Sequence, residues 1–181
     1  MSGGEGILRL MTSGEIALAR SLYSNQINYS RVWIHCDSYL PFGLQSKKVA
    51  MTPNGEIYFR EGYYLPDFSA RNVSIESQHV YLHELCHVWQ YQHGMMVKVC
   101  GLFSWAADYH YNLVKHRLSQ YSMEQQASIV SDYFILREFG YSTWQSLWGN
   151  NFINKDTYYA EGDLLRMYES ILGSFPSPEA L

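Results

Sequence analysis

The chain has 181 residues, enough for one domain with at most a small appendage. Hydrophobic residues make up 47%, charged residues only 17%, and aromatics 16%, with 16 Tyr and 5 Trp; this supports a real core and a tyrosine-rich surface. A net charge of −4 without any Lys/Arg run argues against a nucleic-acid partner, no stretch approaches the roughly 18 apolar residues of a transmembrane helix, and residues 1–6 lack the basic-then-apolar pattern of a secretory signal peptide.

In chain order, residues 1–11 are expected to be a flexible N-terminus. Thr12 with Glu15 forms a capping box ahead of Ile16, Leu18, Ala19, Leu22 and Tyr23, which predicts a first helix broken at Asn28-Tyr29-Ser30. Residues 32–36 are β-branched and aromatic and predict a short strand. Residues 48–52 and 56–60 flank Pro53-Asn54-Gly55, and Asn-Gly there predicts a hairpin. A small sheet of about three strands is therefore expected before residue 75. Residues 75–93 have helical spacing, with Val80, Leu82, Leu85, Val88 and Trp89 on a buried flank and Gly94 as the stop. Residues 95–120 give no clear period. Residues 123–139 are helical again and stop at Gly140, a last helix is expected over about 159–172, and 175–181 reads as a tail. The fold class is α+β, mainly helical, with a small sheet preceding the central helix and one domain over 12–174.

The chemistry-bearing motif is His83-Glu84-Leu85-Cys86-His87. Residues i and i+4 of a helix lie nearly one above the other, so both imidazoles can reach one Zn²⁺. Glu84 projects beside the ion and is placed to take a proton from the water it holds, the general-base arrangement of H-E-x-x-H metallopeptidases. A catalytic zinc needs a third protein ligand and an open position. His93 is about 80° around and about 15 Å along the helix from His83, too far to join it. Glu124, opening the next long helix, is the expected third ligand, giving a His₂Glu set as in gluzincins. Asp132 is the alternative, either as that ligand or as a carboxylate orienting a ligand histidine. Tyr121, Tyr111, His110 and His116 are possible donors to a developing oxyanion, the two tyrosines being preferred. His35 and His79 are expected to be structural or surface residues. Cys36, Cys86 and Cys100 form no disulfide framework, and Cys86 is expected to be a small buried hydrophobe.

Thr12 to Arg20, Tyr29-Ser30-Arg31-Val32, His83 to Gln90 and Tyr121 to Ala127 together resemble Vgr-related bacterial proteins. They resemble in particular the zincin-like metallopeptidase effector domain fused to some VgrG spike proteins of type VI secretion systems, with zincin-like toxin domains of Rhs proteins also similar. The resemblance spans roughly residues 12–139. It implies a zincin-like fold and a zinc metallopeptidase acting as an antibacterial effector, with His83, Glu84, His87 and Glu124 carried over. Cys86 stands where relatives often carry Thr. The resemblance further implies manufacture in the cytoplasm, secretion by a type VI system, action in the target cell's periplasm on a peptide or protein substrate, a VgrG or Rhs partner, and an immunity protein. Two alternatives remain open: a peptidoglycan amidase or endopeptidase using the same site, and a non-catalytic, metal-stabilised adaptor of the secretion spike whose fourth position is closed by a side chain such as His93 or Cys100.

Overall fold

In the computed structural model, residues 5–96, 109–148 and 160–180 are described. They form an α+β fold of four helices and one three-stranded sheet: β1 (Ile7–Leu10), α1 (Ser13–Tyr23), β2 (Trp33–Cys36), β3 (Ile57–Phe59), α2 (Ile75–Gln92), α3 (Met123–Trp148) and α4 (Glu161–Leu172). The sheet order is β1-β2-β3, antiparallel between β1 and β2 and parallel between β2 and β3.

Two expectations are corrected here. The stretch expected to be a flexible N-terminus contains β1, whose Leu8 and Leu10 pair with His35 and Trp33. The expected hairpin reduces to a single antiparallel bridge, Met51 with Tyr58, so residues 52–56 form a loop and not a strand pair. The period-2 pattern still sets the faces: Ile34, Cys36, Ile57 and Phe59 are fully buried, while Leu8, Leu10 and Trp33 are exposed on the other side.

The capping box at Thr12 forms as read, with the Thr12 side chain accepting from the Glu15 backbone and Glu15 accepting from the Thr12 N–H. Such a cap stabilises a helix start by about 1 kcal/mol. Glu15 does more than cap. Completely buried, it also accepts two bonds from Arg9 on β1 and one from the Phe68 N–H, so one carboxylate ties β1, α1 and the 65–69 loop together. A buried carboxylate with four donors is satisfied; removing Arg9 would leave its charge uncompensated.

α2 is the centre of the molecule. Every residue from Glu84 to Gln90 is buried, as are His79, Tyr81 and Leu82. Tyr81 stacks on Phe68, which meets Phe59 of β3; Tyr23 of α1 donates to the Leu82 carbonyl; α3 packs along another side. Ser74 caps the start, and His93 ends the helix by bonding back to the Trp89 carbonyl before Gly94 turns the chain with φ of 88°. α3 is interrupted at Gly140, where the stop was expected, but the chain resumes helix as far as Trp148. Residues 175–176 are not a loose tail: Phe175 packs edge-on against Trp89 and Tyr23, and the Trp89 indole N–H donates to the Pro176 carbonyl. None of the described helices is long and apolar enough to cross a membrane.

Candidate metal centre

His83 and His87 project from one face of α2, their ring centroids 5.0 Å apart. The first turn of α3 brings Glu124 against both. Its Oε2 lies 3.2 Å from His83 Nε2 and 3.1 Å from His87 Nε2. One ligand atom from each of the three residues falls within 4.8 Å of the others, close enough for one ion to touch all three. Two imidazole nitrogens and a carboxylate oxygen suit zinc.

The hydrogen bonds behind His87 strengthen that fit. Its Nδ1 lies 2.7 Å from Gln90 Oε1. The Gln90 amide is itself oriented, because its Nε2 donates to the Met123 carbonyl and to Gln126 Oε1, and Gln126 Nε2 donates to the Tyr121 carbonyl. Gln90 therefore presents an oxygen to His87, and His87 must donate from Nδ1. In the neutral ring Nε2 is then a lone-pair acceptor aimed at a carboxylate. Two acceptors at that distance repel unless a proton or a cation lies between them. Protonation is the metal-free answer. Burial, the largest single influence, would lower the His87 pKa, but the charge and hydrogen bond of Glu124, with the Glu84 charge and the Gln90 hydrogen bond, together outweigh it and raise the pKa to about 9; the same pairing holds the Glu124 carboxyl far below the usual carboxylate range against its burial.

Glu84 stays out of the ligand cluster. Its Oε2 accepts from Thr52 Oγ1 at 2.7 Å, and both side chains are buried. Thr52 belongs to the loop after the Met51–Tyr58 bridge, so the sheet side of the molecule holds the acid in place beside α2.

Tyr109 reaches the cluster from the segment before α3, its ring 6.0 Å from that of His83. Burial first, then the charges of Glu124 and Glu84, push its pKa well above the usual tyrosine range, so it stays a hydroxyl donor. The two tyrosines expected in that role lie elsewhere. The Tyr121 hydroxyl donates to the Asn112 carbonyl within its own loop. Tyr111 bonds to Asp132 and Tyr168 in the core. His110 and His116 are exposed. Asp132 is corrected in both of its proposed roles: its Oδ1 pairs at 2.7 Å with His79, not with a ligand histidine, and it does not join the cluster. His79, Asp132, Tyr111 and Tyr168 form one buried network linking α2, α3, the 109–111 segment and α4, which anchors the backbone two residues from Tyr109.

Cys86 is wholly buried behind the motif, and burial followed by the Glu124 charge raises its pKa, so the thiol stays protonated. His93 is engaged at the helix end and does not close the site; Cys100 lies outside the described residues. Thr52, Gln90 and Tyr109 were not singled out from sequence. Only Gln90, four residues from Cys86 and three from His87 on the same helix, carried a positional signal.

No family model matches the chain. The chain is 36% identical over 160 residues, 83% of its length, to the type VI secretion system spike protein VgrG2b of Pseudomonas aeruginosa, of which it spans only 15%. It superposes with a TM-score of 0.64 and 34% identity on the solved effector domain of that protein, covering 84% of this chain and 88% of the domain.

Proposed function

Because the chain belongs to the family of the VgrG2b effector domain, we propose that it is a type VI secretion effector and a zinc-dependent hydrolase of peptide bonds. One observation carries the hydrolase reading: three ligand atoms from α2 and α3 converge while the adjacent acid, Glu84, is held apart by Thr52. A purely structural metal would gain nothing from a buried carboxylate kept beside it and unliganded.

His83, His87 and Glu124 would hold the ion. When bound, zinc supplies Lewis-acid polarisation of a carbonyl and makes water a nucleophile near neutral pH. Glu84 accepts the proton of the attacking water on the carboxylate oxygen that Thr52 does not occupy, and returns it to the leaving amine. Tyr109 donates its hydroxyl hydrogen to the oxyanion that develops on the substrate carbonyl. Gln90 keeps His87 in the tautomer whose Nε2 lone pair faces the ion. Secretion alongside a VgrG spike, action in a rival's periplasm, and neutralisation by an immunity protein follow from the same family reading.

The test is Glu84→Gln. The variant should keep stoichiometric zinc by elemental analysis and an unchanged circular-dichroism spectrum, yet lose toxicity on periplasmic expression. Toxicity equal to wild type would remove Glu84 from the mechanism.

A further inference from the structure

A cavity of about 700 Å³ lies away from the metal cluster, further along α2, among the described residues. Tyr91 of α2 lines it. Successive helix residues turn by about 100°, so Tyr91 falls between Glu84 and His87 in rotation and about 6 Å past His87 along the axis. The same 52–56 loop that holds Glu84 through Thr52 reaches Tyr91 through Gly55, where a Cβ would sit 2.5 Å from the Tyr91 ring. The cavity is therefore built from the two elements that build the catalytic face, one helical turn further on.

Its lining is specific in chemistry. Two aromatic side chains are substantially open to solvent, Tyr91 at 41% and Trp33 at 36%. The other walls are polar. Gln92 is fixed by accepting from the Asn28 N–H and donating to the Asn28 carbonyl. Asn28 Oδ1 accepts from Ser30, which leaves the Asn28 amide hydrogens to donate. Arg31 contributes a cation, and Glu56, whose Oε2 is taken by His35 and Tyr58, leaves Oε1 as an acceptor.

We infer that this cavity is a carbohydrate subsite that receives an acetamido sugar linked to the peptide being cut. The role of subsite rests on the hydrolase reading; the sugar binding does not. A pyranose ring has apolar C–H faces that stack on exposed aromatic rings and a rim of hydroxyls and amides. The cavity is lined by the half-open rings of Tyr91 and Trp33 and by donors at Asn28 and Arg31 with an acceptor at Glu56. An apolar peptide side chain would fit the rings but would cover Arg31 and Glu56 without replacing their hydrogen bonds to water. A sugar replaces them.

The experiment uses the full chain carrying Glu84→Gln, so that no bond is cleaved, with N,N′,N″-triacetylchitotriose and acetyl-Phe-Ala-amide as probes. Titration is followed by the indole N–H resonance of Trp33 and by calorimetry. The trisaccharide is expected to give a saturable shift at Trp33, and Tyr91→Ala or Arg31→Ala is expected to weaken it about tenfold, the loss of one stacking or charged contact. No saturable shift at tens of millimolar sugar overturns the inference. So does a saturable shift with the dipeptide and none with the sugar, which assigns the cavity to a peptide side chain. Because the trisaccharide has no peptide bond, failure here leaves the hydrolase reading standing, and failure of the Glu84 test leaves this binding intact.

Discussion

Replacement of Gln90 separates the geometry of the metal centre from the stability of the fold. Gln90 is completely buried, and its amide makes three bonds: it accepts from His87 Nδ1 at 2.7 Å and donates to the Met123 carbonyl and to Gln126. Gln90→Leu has similar volume and deletes all three. Each buried group left unpaired costs about 1–3 kcal/mol, so the metal-free protein should be destabilised by about 3 kcal/mol or more. Loss of the acceptor behind His87 also frees its tautomer, and losses of this kind lower metal affinity about 10- to 100-fold, about 1.4–2.7 kcal/mol. Gln90→Glu discriminates between the two effects. It keeps an oxygen facing His87 Nδ1 but loses both donors, so it should be destabilised comparably to Gln90→Leu while binding zinc at least as tightly as wild type. Zinc dissociation constants come from competition with a chromophoric chelator, and stability from thermal unfolding of the metal-free proteins. Equal loss of zinc affinity in both variants, or wild-type affinity in Gln90→Leu, would refute the orienting role.

Three further outcomes are expected. Tyr109→Phe should lower kcat about 100-fold with KM little changed, as loss of one oxyanion donor does; steady-state kinetics on a cleaved peptide checks it. Thr52→Val, nearly isosteric, should release the Glu84 carboxylate and lower kcat between about tenfold and 100-fold without loss of bound zinc, read by kinetics beside elemental analysis. The third concerns pH in the metal-free protein. The His87 pKa is raised, so its pairing with Glu124 contributes stability that is full below the unfolded histidine value of 6.5 and is lost as pH rises through about 9. The Glu124 pKa is lowered, so its contribution is full above 4.5 and is lost only as pH falls toward its depressed value. The melting-temperature gap between wild type and His87→Gln should therefore be widest between 4.5 and 6.5 and close above pH 9, and zinc uptake near neutral pH should release about one proton, measurable by calorimetry in two buffers.

Much of this centre could be read from local pattern. His83, Glu84 and His87 are placed by helical geometry alone, and the Thr12–Glu15 box is a contact within four residues. Glu124 could be anticipated because it opens a long amphipathic helix that has to pack on α2. Asp132 was harder: a carboxylate two turns along α3 meets a histidine of α2, but only the register of the two helices decides that it is His79. The tyrosines were hardest. Tyr109, Tyr111 and Tyr121 lie in or beside an irregular segment, where no period fixes which side chain turns inward, and the tertiary network sends Tyr111 to the core and Tyr109 to the cluster. β1 escaped notice because four residues alternating around Arg9 carry too weak a pattern, and its outward leucines read as an undirected apolar run.

The hydrogen bond from Trp89 to Pro176, beside the Phe175 ring, spans 87 positions of sequence. A polypeptide emerging from the ribosome, or from any narrow passage in the same direction, cannot shut Trp89 away from water until residue 176 has followed it out. Before that moment the indole N–H lacks the Pro176 carbonyl that accepts from it in the folded chain. A variant cut short before residue 175 would therefore keep the contacts of α2 with α1 and α3 but leave the Trp89 side of the histidine-bearing helix uncovered.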